Sequence, residues 1–208
     1  MKRFSRLSAV LSALIDMIWA GMLWLLCSLP VITLGASTTA LYYAVVKCVR
    51  HDRGRLTPSF FRSFRSNFRQ ATLLWLICLA YLAVGLGDII ALKQMGVQPG
   101  SFLYYFSRLF LLPVPLLFPW LFAFLSRFQN SIQGTLRYTV YLALRHFGVT
   151  LLLAFELALF GLICWLIPFL LPLLPGAFCL LMSLLIEPVF RPLTESASAG
   201  REDDWYNE

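Results

Sequence analysis

Between Val10 and Pro188 the chain alternates long apolar runs with short polar segments rich in arginine. The first run, Ala9 to Leu29, approaches the ~20 residues a helix needs to cross ~30 Å of hydrocarbon. Ser28-Leu29-Pro30 predicts the end of that helix and the start of another, because proline suits a first helical turn. A second run, Val31 to Val49, returns to Lys47 and Arg50. Its first half, Thr33 to Ala40, is rich in small residues that let helix backbones approach closely in lipid. Two readings fit this segment: a full crossing, or a re-entrant segment whose Pro30 and Gly35 line a cavity.

Arg50-His51-Asp52-Arg53-Gly54-Arg55 is a polar turn, after which Thr57 can cap a helix beginning at Pro58. At helical periodicity Phe60, Phe61, Phe64 and Phe68 share one face, and Arg62, Arg65 and Arg69 fall on the adjacent one. That pattern predicts a basic amphipathic helix in the headgroup region, running on into a third span, Ala71 to Leu92. Lys93 to Ser101, with Gly96, Pro99 and Gly100, reads as a short loop. In the fourth span, Phe102 to Leu125, Pro113, Pro115 and Pro119 predict a kink or local unwinding.

A second amphipathic stretch, capped by Asn130 or Ser131, sets Ile132, Leu136, Val140, Ala143 and Phe147 against Arg137, Tyr141 and Arg145. The fifth span is Phe147 to Ile167. Pro168, Pro172 and Pro175 separate it from a sixth, Gly176 to Val189. Residues 1–190 thus form one transmembrane domain, and 191–208 a polar, acidic, disordered tail. The expected fold is an all-α membrane bundle of about six spans with two basic amphipathic interfacial helices.

Composition agrees. Hydrophobic residues are 60% of the 208 and charged residues 13%, against about 25% charged in soluble domains. The net charge of +7 would suggest nucleic acid in a soluble protein. Here the positive-inside rule accounts for it, because every Lys and Arg except Lys93 and Arg108 falls on one side of the six-span topology. That side is expected to be cytoplasmic and to carry both termini. Anionic headgroups are then the counter-charge, and no nucleic-acid partner is expected.

The five cysteines form no CxxC pair and lie in or beside spans, so neither disulfides nor a metal site is expected. His51 and His146 have no Cys or Glu at ligand spacing. There is no P-loop, glycine-rich nucleotide fingerprint or GxSxG, so an ATPase or hydrolase has no support, and no cofactor is expected.

Ionisable residues within spans are costly and are therefore candidates for function. Glu156, in the middle of the fifth span, could bind a proton, a cation or a sugar hydroxyl, or could be a structural acid. Asp88 and Arg108, at comparable depths on successive spans, are expected to pair. Asp16 is expected to meet a basic residue at the interface, and Glu187 to pair with Arg191 at i, i+4. Arg62, Arg65, Arg69, Arg137 and Arg145 form either a lipid anchor or a docking surface for a partner, as coupling helices of ATP-driven transporters do.

Trp24-Leu25-Leu26-Cys27-Ser28-Leu29-Pro30-Val31-Ile32-Thr33-Leu34-Gly35-Ala36-Ser37-Thr38-Thr39-Ala40-Leu41-Tyr42-Tyr43 resembles the YesL family of bacterial membrane proteins. Ser63 to Ala71 and Arg127-Phe128-Gln129-Asn130 continue the likeness, which covers about residues 5 to 190. The family is functionally uncharacterised and brings no catalytic residues. Its members tend to be encoded beside carbohydrate uptake and breakdown systems, notably binding-protein-dependent ABC transporters. The resemblance therefore implies a link to sugar or oligosaccharide uptake, with an importer's permease and ATPase subunits as partners. Permeases of such importers dock the ATPase through a loop of EAAxxxG type, which neither Arg50–Gln70 nor Ser126–His146 contains. An accessory role is expected rather than that of the permease. The alternatives are a self-sufficient secondary transporter or channel built around Glu156, Asp88 and Arg108, and a membrane scaffold or signalling partner.

Overall fold

The computed structural model describes residues 2–97, 100–128 and 130–197, which are overwhelmingly helical and contain no strand. Helix α1 is Lys2–Ser28. A 3-10 turn, Val31–Thr33, leads into α2, Leu34–Ala44, which continues as a π-helical segment, Val45–Arg50. Then follow α3 (Leu56–Gln94), α4 (Phe102–Phe110), α5 (Pro113–Arg127), α6 (Ile132–Arg145), α7 (Phe147–Leu166) and α8 (Leu174–Ala197). Six stretches are long and apolar enough to cross a membrane: Leu11–Ser28, Val31–Arg50, Leu56–Gln94, Phe102–Arg127, Phe147–Leu166 and Leu174–Leu193. The chain is an all-α, multi-pass membrane protein.

The basic stretch and the third span are one uninterrupted helix, α3. It starts at Leu56 rather than Pro58, and Thr57 does not cap it. Instead the Thr57 hydroxyl accepts a hydrogen bond from the Trp19 indole at 2.8 Å, tying α3 to α1. The fourth span breaks at Leu111-Leu112, where Pro113 has no N–H with which to continue the helical ladder. Ser131 caps α6, its hydroxyl accepting from the Gly134 amide at 3.1 Å. α8 passes through Pro188 and Pro192 to Ala197, into the segment expected as a polar tail. Residues 198–208, and Gln98 and Pro99 of the expected loop, lie outside the described residues.

At ~1.5 Å per residue α3 is about 58 Å long, roughly twice the ~30 Å hydrocarbon thickness. Two partners share its length. The α2 segment runs antiparallel along the first half, with Gly35 against Ala71 and Trp75 and Cys48 beside Ser59. α4 and the start of α5 pair with the second half, where Tyr81 stacks on Phe110 and Gly85 abuts Leu111.

The stretch Val31–Arg50 is the most enclosed of the six, 72% of it buried. Ala36, Ala40, Ser37 and Thr39 are fully buried. A Cβ added at Gly35 would lie 2.7 Å from the Ala71 carbonyl oxygen and 2.8 Å from the Phe122 ring, so only glycine admits this approach. Tryptophan indoles stitch the bundle: Trp24 donates to Thr38 at 3.1 Å, Trp75 to the Val31 carbonyl at 2.7 Å and Trp120 to Thr150 at 3.0 Å.

The buried faces of the two amphipathic stretches coincide only in part with the apolar faces read from periodicity, at Phe60 and Phe64 in α3 and at Ile132 and Ala143 in α6. In α3 the inward residues include Leu56, Ser59, Phe60 and Ser63, while Phe61 and Phe68 are exposed. In α6 they are Thr135, Thr139, Leu142 and Ala143, while Leu136 and Val140 are exposed. Where lipid can cover large apolar side chains, close helix packing selects small ones.

Candidate functional site

The two basic stretches are joined. The Gln70 side-chain amide, on α3, donates to the Asn130 carbonyl at 2.8 Å and to the Thr135 hydroxyl of α6 at 3.2 Å. Phe64 of α3 and Ile132 of α6 pack against the same apolar cluster around Leu74, Leu121 and Leu125. Around this joint Arg62, Arg65, Arg69, Arg137 and Arg145 are all exposed. Phe64, Arg65, Ser66, Phe68 and Arg69 line a groove of about 300 Å³. Arg145 is braced by Tyr141, its guanidinium 5.7 Å from the ring centre and hydrogen-bonded to the hydroxyl. Exposed guanidinium groups interleaved with aromatic rings suit an anionic surface, whether protein or headgroup.

Beneath the polar end of the bundle lies an ionic cluster that spacing alone does not reveal. Glu187 of α8 forms an ion pair with Arg127 of α5, their side chains only 9% and 3% exposed. Arg127 Nε donates to Glu187 Oε1 at 3.0 Å, Nη2 donates to Oε2, and the Tyr42 hydroxyl of α2 donates to Oε1 at 3.2 Å. The expectation that Glu187 pairs with Arg191 misses this cross-bundle partner. The sequence shows only an acidic and a basic residue at the same end of the sixth and fourth spans, with nothing to pair them.

The π-helical segment carries Lys47 and Arg50 in its last turn. Lys47 is 5% exposed, and its ammonium donates to the Tyr43 hydroxyl at 3.3 Å. Arg50 reaches α8, donating to the carbonyl and hydroxyl of Ser183. Partial burial, with Arg50 nearby, holds His51 below the usual imidazole range. Two arginines and one carboxylate thus gather where α8 meets α5 and the π-helical segment.

Deeper in the bundle, both carboxyl oxygens of Glu156 are buried, and neither has a hydrogen-bond partner among the described residues. Glu156 lies close enough to Cys179 of α8 to interact electrostatically. Cys179, with Trp24, Tyr42, Phe122 and Phe160, lines a central cavity of about 190 Å³ whose wall is apolar. A sugar there would lose hydration without regaining hydrogen bonds, at a cost of several kcal/mol (about 1–3 per hydroxyl by protein mutational data).

Asp88 and Arg108 do not pair. Asp88 is exposed on α3, and Arg108 instead lies over the Tyr104 ring, 4.4 Å from its centre. Nor does Asp16 form an ion pair with any described basic side chain.

Residues 17–89 match the family described as "Protein of unknown function, DUF624". The match takes in the second part of α1, from Met17 to Ser28, all of α2 and the basic and apolar parts of α3, and it brings no function with it. No curated protein and no solved structure is detectably similar to the chain.

Proposed function

We propose that the chain is an auxiliary membrane component of carbohydrate uptake, working beside an ABC-type importer. It sits in a bacterial plasma membrane with the basic face and both termini toward the cytoplasm. The observation that carries this reading is the union of the two basic stretches at Gln70, which builds one assembly of exposed arginines and aromatic rings. An accessory protein needs such a face and needs no sugar path of its own, which agrees with the apolar central cavity. The resemblance of residues 24–43 to a family encoded beside carbohydrate-uptake systems supplies the substrate class. Deleting the gene impairs uptake of a particular labelled oligosaccharide; unchanged uptake across the relevant sugars contradicts the reading.

Glu156 favours a second reading, an autonomous transporter, because a carboxyl with two unsatisfied buried oxygens is poised to take a proton or a cation. On that reading the purified protein moves solute across liposome membranes, and Glu156→Gln changes the pH dependence of the flux. Absence of flux, or flux indifferent to the substitution, removes it.

A further inference from the structure

Lys93 and Arg108, the two basic residues outside the basic side of the topology, meet in one place. They line a cavity of about 410 Å³ between the end of α3 and α4, with Tyr104, Ser107, Ile89 and Leu92 among its other walls. Arg108 is held by the face of the Tyr104 ring. The Ser107 hydroxyl is turned onto the Tyr104 carbonyl at 3.2 Å. No ion pair neutralises either cation among the described residues, and Asp88, the nearest acid along α3, is exposed and bonded to neither. The surrounding surface is strongly apolar: Ile90 is 57% exposed, Met95 78% and Phe102 82%. Two unpaired cations over an apolar floor, rimmed by side chains that only lipid can cover, are complementary to an amphiphile with an anionic head.

We propose that this cavity binds the phosphodiester of an anionic phospholipid, on the face of the membrane opposite the arginine-rich surface. Lys93 and Arg108 take the phosphate oxygens in charge-assisted hydrogen bonds. Ile89 and Leu92 receive the glycerol end of the molecule, and its acyl chains run along the exposed faces around Ile90 and Phe102. The site is separate from the arginines of α3 and α6, since α3 carries it at the far end of its length.

The test uses the full chain in nanodiscs of phosphatidylcholine doped with a phosphatidylglycerol that bears a photoreactive acyl chain. After irradiation, peptides covering residues 89–108 carry the adduct. Labelling there falls about tenfold or more in Lys93→Gln with Arg108→Gln, persists in Lys93→Arg with Arg108→Lys, and is unaffected by Arg65→Gln with Arg69→Gln. The conservative pair, together with matched melting curves, separates loss of binding from loss of fold. Equal labelling by a photoreactive phosphatidylcholine, or labelling indifferent to both cations, overturns the proposal. Protection of residues 89–108 by inorganic phosphate with no labelling by the photoreactive phosphatidylglycerol overturns the lipid as occupant and assigns the same two cations to free phosphate.

Discussion

Removing the guanidinium of Arg127 leaves the Glu187 carboxylate buried without the cation that clamps both of its oxygens. Breaking one side of a buried pair costs about 3–5 kcal/mol, whereas replacing both partners by apolar residues of similar volume is often neutral. Arg127→Met is therefore expected to lower the melting temperature of the detergent-purified protein sharply. Adding Glu187→Leu should restore most of the loss, and a double variant no better than the single would show that the pair is not what holds α5 to α8. At this scale the sequence was partly legible. Gly35 and its small neighbours announced a close helix contact, and Glu156 announced an unusual buried acid. The partner of Glu187 was not legible, because it stands sixty residues away and no periodicity links the two. The Asp88–Arg108 expectation failed because similar depth does not fix which face of each helix a side chain occupies.

On helices the outcome depends on what counts as the interior. The periodic stripe read along α6 comprises Ile132, Leu136, Val140, Ala143 and Phe147, and a soluble helix would bury all of it. Of these, Ala143 alone is buried. Instead Thr135 and Thr139 are buried completely, while Leu136 is 41% exposed. Thr139→Leu is expected to destabilise the bundle by overpacking, by about 1–3 kcal/mol. Leu136→Thr, at an exposed site, should stay within about 0.5 kcal/mol. Thermal unfolding of the two variants in one detergent checks the order, and a larger loss for Leu136→Thr would reverse the assignment of faces. Helix existence and bounds were easier to read, since hydropathy and proline set them. α7 at Phe147–Leu166 and the break before Pro113 follow directly from the chain. The run of α3 through both its basic and apolar halves follows from the lack of any proline after Pro58, which stands in the first turn where its missing N–H costs no helical bond.

Across the whole molecule, six apolar stretches and alternating polar turns were readable because the bilayer imposes one length on every crossing. The joining of α3 to α6 was not, because it depends on one glutamine side chain reaching a carbonyl and a threonine hydroxyl on a distant helix. The joint turns two separate basic stretches into a single assembly, and the functional account rests on it. The measurement that tests it most directly is a mild-detergent affinity purification from native membranes, quantified by mass spectrometry. The native chain is compared with Arg62→Glu, Arg65→Glu and Arg69→Glu combined. The account predicts that an importer's permease and ATPase accompany the native chain and are lost from the variant while the variant's own yield and melting are kept. Recovery of this chain alone, or only as copies of itself, would contradict it.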